Sequence, residues 1–325
     1  MSGRLSRDVG AAGASVSGRV AAVVVTWEGG PATDRCVESL LVQDRAPAEV
    51  IVVDNASGTR ERERLRSGIG TRAGVRLLLL DDNRQFAGGL NAGARAALAG
   101  GAERVLLLNN DTVLARDALG WLDDALDRDP SAGIAGPRVV DLRHPEQVLS
   151  AGERHALSLL CVPRTLVRYR GPLDRPYTVS GIMGCAMLVT RACFEAVGGF
   201  SEEIAVYYED VDFCLWAHAR GFRALVEPRA VVAHDGLRGF ASGLTPWAAY
   251  LKARNPWLVV RRHGGAGALL AFVPVYAAMV ASSAAAYALR GRGDVVRALG
   301  RGAFAGMRTA AGAAPDVVRA PRART

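Results

Sequence analysis

The sequence predicts an α/β chain whose mostly parallel central sheet is covered by helices on both faces, followed by a C-terminal helical, membrane-associated extension. Three observations carry that prediction. Uninterrupted apolar runs of strand length alternate with helical spacings from Val20 to Leu108, the pattern of strands buried on both faces. Two of those runs end on an aspartate, Asp54 and Asp111. The excess positive charge is gathered around a long uncharged stretch near the C-terminus.

Each element has its own signal. Val20 to Thr26 is a continuous apolar run that predicts the first strand. Val37, Leu40 and Leu41 at helical spacing predict a helix over Asp34 to Gln43. Val50 to Asp54 is the second strand, broken by Asn55-Ala-Ser-Gly, and Val75 to Leu80 is the third. Phe86 to Leu98 reads as a glycine-bearing turn feeding an alanine-rich helix, and Val105 to Leu108 is a strand stopped by Asn109-Asn110-Asp111. In open parallel sheets ligands bind beyond the carboxyl ends of the strands, so Asp54 and Asp111 stand where a site is expected. From Gly181 to His234 the pattern changes to loops dense in polar residues, with a further strand over Ala224 to Ala233 broken at Pro228. There is no internal repeat.

The chain has 325 residues and 40 Lys+Arg against 32 Asp+Glu, a net charge of +8. Residues 252–325 hold twelve basic residues and only Asp294 and Asp316, a local +10, which leaves −2 for residues 1–251. A nucleic-acid-binding reading fails on that distribution, because the motif-bearing part is slightly acidic and its aromatics are not interleaved with arginines. The apolar content of 50% excludes a disordered chain. Five cysteines with no CxxC pair or zinc spacing predict free thiols in a reducing compartment. Residues 1–18 are rich in Gly, Ala and Ser, lack a signal-peptide core, and are expected to be a disordered lead-in to a cytoplasmic protein. The expected organisation is a domain over 19–262, divided into a first half (19–115) and a second half (116–262), and then an apolar helix with a basic tail (263–325).

Gly267 to Leu289 runs 23 residues without a charge, flanked by Arg261-Arg262-His263 and by Arg290 and Arg292. About twenty apolar residues can cross a bilayer. Three arrangements are open: a buried pair of alanine-rich helices, a transmembrane span, or an in-plane or re-entrant membrane helix. Basic flanks favour an anionic leaflet. A short helix is expected around Val295 to Met307.

The motifs are acidic. A carboxylate just past a buried strand, beside amides, can hold a divalent metal against a diphosphate, which is one use of Asp111; a strand-ending turn is the other. Asp54 can accept hydrogen bonds from a base or ribose, or close a turn. Gly88 and Gly89 at a helix start let backbone amides approach a ligand, although close helix–strand packing also selects glycine. Tyr207-Tyr208-Glu209-Asp210-Val211-Asp212-Phe213 brackets acids with aromatics at a helix start, so a partly desolvated carboxylate there can act as a general base. His234 at a strand end is a candidate metal ligand.

Taken in order, these segments resemble glycosyltransferase family 2. Val23-Val-Val-Thr-Trp27, Val52-Val-Asp-Asn-Ala-Ser57, Asn83-Arg-Gln-Phe-Ala-Gly-Gly-Leu-Asn91 and Leu107-Leu-Asn-Asn-Asp-Thr112 come first. Gly184-Cys-Ala-Met-Leu-Val-Thr-Arg191, Val197-Gly-Gly-Phe200, Tyr208-Glu-Asp-Val-Asp-Phe213, Ala219-Arg-Gly-Phe222 and Pro228-Arg-Ala-Val-Val-Ala-His234 follow. The resemblance covers residues 20–262 and is to the rhamnosyltransferase and galactofuranosyltransferase branch.

It implies a Rossmann-like GT-A fold and inverting transfer from a nucleotide-diphosphate sugar, dTDP-rhamnose or a UDP-sugar, to the hydroxyl of a lipid-linked or cell-envelope glycan. By family position the donor would be held by Thr26, Asp54, Asn55, Ser57, Asn83, Phe86, Gly88, Gly89, Asn91, Asn110 and Asp111. A divalent cation, Mg²⁺ or Mn²⁺, would sit at Asp111 and His234, with Asn109 standing where the family's DXD motif has its first acid. Asp210 would be the base, and Gly184, Cys185, Glu209, Asp212 and Arg254 would face the acceptor, with Gly181 to Ala186 as the acceptor-side loop. Arg254, in Tyr250-Leu-Lys-Ala-Arg-Asn-Pro-Trp257, would hold an acceptor phosphate or make a helix-end salt bridge. Ser201 stands where the family usually has aspartate, which leaves the roles of Glu202 and Glu203 open. Two alternatives are a small secondary-metabolite acceptor and a catalytically inactive membrane-associated scaffold of the same fold.

Overall fold

The computed structural model describes residues 19–153, 156–161, 171–235 and 244–309. The lead-in expected over 1–18 and the tail beyond 309 lie outside the described residues. In chain order the elements are β1 (Val20–Thr26), α1 (Pro31–Leu41), β2 (Glu49–Asp54), α2 (Thr59–Ser67), β3 (Val75–Leu79), α3 (Gln85–Ala99), β4 (Arg104–Asn109), β5 (Thr112–Leu114), α4 (Ala118–Arg128), β6 (Ala132–Asp141) and β7 (Val148–Ser150). They continue with β8 (Tyr177–Val179), β9 (Ala186–Thr190), α5 (Arg191–Val197), α6 (Glu209–Ala219), β10 (Arg223–His234), α7 (Pro246–His263), α8 (Ala266–Leu289) and α9 (Gly293–Thr309).

One mixed sheet runs in the order β3-β2-β1-β4-β9-β6-β10-β5, with β7 on β6 and β8 on β10. The first four strands are parallel, as the alternating pattern predicts. Their successive residues point to opposite faces, and both faces are covered. Val23, Val25, Ile51, Val53, Val105 and Leu107 pack under α3, α5 and α6. Ala22, Val24, Val50, Val52, Leu106 and Leu108 pack under α1, α2 and α4. This two-sided burial is why the strands read as continuous apolar runs.

The register places the functional ends side by side. Thr26 pairs with Asp54, Val25 with Asn109, and His234 with both Thr112 and Asp141. An antiparallel strand, β9, is inserted between β4 and β6, where the sequence analysis gave only a motif. β10 is interrupted as expected at Pro228, with a register shift between Glu227 and Val231.

The C-terminal elements form a helical layer. α7 ends in the Arg261-Arg262-His263 cluster. α8 is one continuous helix rather than a pair, with Pro274 inside it, and only Phe272 and Tyr276 are buried. Those two side chains meet Trp257 of α7 at ring-centroid distances of 5.3 and 5.2 Å. α9 is longer than the expected Val295 to Met307 and packs Val295, Ala298 and Leu299 against Ala249 and Ala253 of α7. Leu270 and Leu289 stay exposed on α8, as do Phe304 and Met307 on α9.

Candidate active site

At the nucleotide-binding end, side chains fasten loops to one another. Asp54 is fully buried; its Oδ2 accepts from Arg62 Nε at 2.9 Å and its Oδ1 from the Ser57 amide at 3.3 Å. Ser57 Oγ in turn accepts from the Glu28 amide at 2.9 Å. Asn55 donates to the Gln85 carbonyl and accepts from the Arg84 amide, and Asn83 Oδ1 accepts from the Gln85 amide. Asn110 donates to the hydroxyls of Thr26 and Thr33, and Gly29 lies against all three side chains, leaving no room for a Cβ.

Phe86 is half-buried against the core. Gly88 and Gly89 lie inside the first turns of α3 rather than ahead of it. A Cβ on Gly89 would come within 2.7 Å of Val25, and one on Gly93 within 2.3 Å of Val23. At Gly89 the structure thus favours close helix–sheet packing over ligand approach. Asn91, also buried, accepts from the Phe200 amide and donates to the Phe200 carbonyl and Glu202. It clasps the Gly198-Gly199 turn, whose residues have φ of 88° and 95°.

The end of β4 is different. Oδ1 of Asn109 and Oδ1 of Asp111 are buried with no hydrogen-bond partner. His234 Nε2 stands 3.2 Å from Asp111 Oδ1, outside hydrogen-bond geometry, and 3.3 Å from Asn109 Nδ2. Burial acts to raise the Asp111 carboxyl. The contact with His234 and the charge that imidazole can carry, aided by Asn109 and a backbone amide, bring it below the usual carboxylate range. A ring nitrogen and a carboxylate oxygen this close are reconciled by a shared proton or a shared cation. Among the described residues no three or more His, Cys, Asp or Glu side chains are grouped so as to hold a metal ion by themselves. Asn109, Asp111 and His234 are the residues that would hold a divalent cation here, oxygens and one imidazole of a kind that suits Mg²⁺ or Mn²⁺. The Asp235 amide donates to the Asp111 carbonyl, and Asp235 lines an open cavity of about 400 Å³ with Gly29, Arg35 and Arg143.

Asp210 lies in the first turn of α6 and is 5% exposed. Its Oδ2 accepts from the Gly184 amide at 2.9 Å and its Oδ1 from the Val211 amide at 2.9 Å. A Cβ on Gly184 would stand 3.0 Å from the Asp210 Cβ, so glycine permits this approach. The next carbonyl, of Cys185, accepts from the Asn109 amide at 3.0 Å. Residues 184–185 thus join the segment of the candidate base to the segment of Asp111. Glu209 is buried beside Asp210. Burial, and then the Glu209 charge, raise the Tyr207 phenol.

Two acceptor-side candidates are engaged elsewhere. Asp212 is gripped by His263 Nε2 at 2.8 Å and Arg262 Nη1 at 3.3 Å. Arg254 is 3% exposed; its Nη2 donates to the Glu203 carbonyl at 2.5 Å and its Nε to Asn255 Oδ1 at 2.9 Å. Its environment supports neither an acceptor-phosphate contact nor a helix-end salt bridge. Burial instead lowers its pKa from the usual arginine value. Ser201 accepts from Arg262, Glu203 pairs with it, and Glu202 meets Asn91, which gives both glutamates structural partners.

The approach to Asp210 is strained. Ala205, Tyr207 and Tyr208 have φ of 67°, 63° and 73°, left-handed values that cost non-glycine residues about 1–2 kcal/mol each. Sequence reasoning missed Arg62, which neutralises Asp54, and gave Asn255, within the Tyr250–Trp257 segment, no role; it is treated below. Neither role carries a local signal, because the partners are eight and about fifty positions away.

Known proteins share the family and the fold of this chain. The chain is 29% identical over 257 residues, 72% of its length and 80% of the relative's, to an N-acetylglucosaminyl-diphospho-decaprenol L-rhamnosyltransferase of Mycobacterium tuberculosis. It is 24% identical to the dTDP-rhamnosyl transferase RfbF of Shigella flexneri, over 66% of the chain and 71% of that protein. The mannosyltransferase PcManGT of Pyrobaculum calidifontis, solved with GDP-Man and Mn²⁺, superposes with a TM-score of 0.57 at 22% identity, covering 89% of this chain and 87% of that one. This likeness shows the shared GT-A fold. The model of the family described as "Glycosyltransferase like family 2" matches residues 18–259. The chain belongs to that glycosyltransferase family.

Proposed function

We propose that the protein transfers a sugar, with inversion, from a nucleotide-diphosphate sugar to a hydroxyl of a lipid-linked or cell-envelope glycan, with dTDP-rhamnose the first donor to try. The observation that carries this reading is the pair of buried oxygens on Asn109 and Asp111 that make no hydrogen bond and stand beside His234, joined through residues 184–185 to Asp210. The names of the mycobacterial and Shigella relatives support the sugar and, for the first, the lipid-linked acceptor.

In this reading Asp210 takes the proton of the acceptor hydroxyl as its oxygen bonds to the anomeric carbon. The bond from that carbon to the diphosphate breaks on the opposite face, and the nucleotide diphosphate leaves with the electron pair. The Gly184 amide holds the Asp210 oxygen in place. A divalent cation held by Asp111 and His234, with Asn109, would offset the charge on the departing diphosphate. A panel of dTDP-, UDP- and GDP-sugars, with and without Mn²⁺, tests the donor. In Asp210→Asn we expect transfer to fall by about 10²–10⁴-fold while donor binding is kept. Near-normal turnover would refute the base.

We further propose that α8 lies in the plane of an anionic leaflet. By length and composition it could cross a membrane, being about 36 Å long. However, α9 packs on it through Tyr287 and Ala284. Near its middle α8 is also packed on α7, where Phe272 and Tyr276 meet Trp257, so a crossing would have to break that packing or draw α7 into the bilayer. The protein should float with phosphatidylglycerol vesicles and be released by alkaline carbonate. Retention after carbonate would indicate a span.

A further inference from the structure

Residues 203–208 deliver the chain to Asp210 through three left-handed residues, and one side chain of α7 holds that path. Asn255 is fully buried. Its Nδ2 lies 3.0, 2.8 and 2.9 Å from the carbonyl oxygens of Ile204, Val206 and Tyr207. Three carbonyl oxygens converging on one point repel one another unless a donor sits between them, and an amide nitrogen supplies two protons for them to share. The carboxamide cannot turn over, because its Oδ1 accepts from Arg254 Nε while Arg254 Nη2 holds the Glu203 carbonyl.

The same helix secures Tyr207 from two more sides. The Lys252 ammonium lies 4.7 Å from its ring centroid, and the Trp247 ring is tilted 54° at 6.2 Å. Opposite, the Ala87 amide at the start of α3 donates to the Ala205 carbonyl. Tyr208 then caps α6, where its carbonyl accepts from the Asp212 amide.

We propose that Asn255 is a positioning residue for transfer: its carboxamide keeps the strained 204–208 turn in the form that sets Asp210 against the Gly184 amide. This gives the Arg254-Asn255 pair a role in placing the base instead of in binding an acceptor phosphate, and it rests on the reading of Asp210 as the base.

Asn255→Asp keeps the size and replaces the donors with acceptors facing three carbonyls. With dTDP-rhamnose and an N-acetylglucosamine-bearing polyprenyl diphosphate, kcat should fall by about 10²-fold with donor KM within about threefold. In an Asp210→Asn background the same change should add little, since the group it positions is gone. Asn255→Ala should lose kcat similarly, and adding Ala205→Gly should recover part of it, because glycine adopts the left-handed turn without the clamp. Independently of activity, amide exchange in Asn255→Asp should quicken across 203–212 while β1, β2 and β4 stay protected.

Wild-type kcat in Asn255→Asp, or an equal loss in the Asp210→Asn background, would overturn the proposal alone. Exchange quickened uniformly across the chain would also do so. Full turnover in Asp210→Asn by itself would overturn the base assignment and the proposal with it.

Discussion

Asp54 and Asp111 occupy equivalent positions, each at the carboxyl end of a parallel strand, yet the structure treats them differently. Asp54 has both oxygens engaged, one by Arg62 and one by the Ser57 amide. Asp111 keeps a buried oxygen without a hydrogen-bond partner, beside another on Asn109. A buried polar atom left unmade costs about 1–3 kcal/mol, so folding alone does not explain it. The contrast teaches that two acids at strand ends are not interchangeable: Asp54 is filled from within by a cation and an amide, whereas Asp111 turns an oxygen toward Asn109 and His234.

The sharpest way to break the contrast is to neutralise each acid in turn. Asp111→Asn should lower turnover by about 10²–10³-fold, the scale of losing one preorganised electrostatic partner of the leaving group. Its melting temperature should fall only slightly, because the part-exposed carboxylate loses its contact with His234 and no other charged partner. Mn²⁺ with the nucleoside diphosphate should raise the midpoint of the wild type and not of the variant. A large loss of stability in Asp111→Asn would place it with Asp54.

Asp54→Asn should do the reverse. The amide oxygen could still accept from Arg62, but the NH2 would then face the Ser57 amide, donor against donor, and the Arg62 cation would lose its counter-charge. With Arg62 24% exposed, the expected loss is about 1–3 kcal/mol by denaturant titration. Any fall in turnover should follow the folded fraction. An Asp54→Asn protein of full stability and no donor binding would show that this acid reads the nucleotide directly.

Much of this was legible beforehand. The parallel strands declared themselves by apolar runs, and the acids by standing at their ends. Asp210 stands out in the sequence by its aromatic brackets, and the structure buries it in the first turn of α6; the GT-A fold was legible from the order of the motifs. What was hidden depends on pairing at long range. β9 entered the sheet between β4 and β6 because its mates, Leu106 and Leu188 among them, are more than eighty residues apart. Gly89 admitted both ligand approach and close packing in the sequence, and Val25 of β1 lying against it favours packing. Arg254 and Asp212 read as acceptor contacts because the sequence shows their charge and conceals their partners, Glu203 in one case and Arg262 with His263 in the other.

The smallest test concerns another filled acid, Glu61. It is 8% exposed and accepts from Arg64 and from the Gly30 amide, tying α2 to the loop before α1. The Arg64 hydrogen bond outweighs burial and, with the Gly30 amide, holds its carboxyl below the usual glutamate range. A carboxyl depressed in the folded state contributes its full stabilisation above its unfolded pKa of about 4.3 and loses it as pH falls through the folded value. Glu61→Gln should therefore cost below about 1 kcal/mol at neutral pH, and less as the pH falls through that acid range. Chemical unfolding across the acid limb would show the two curves converging. If they ran parallel instead, the Arg64–Glu61 pair would add nothing to stability, and a filled acid would not by that fact be a structural one.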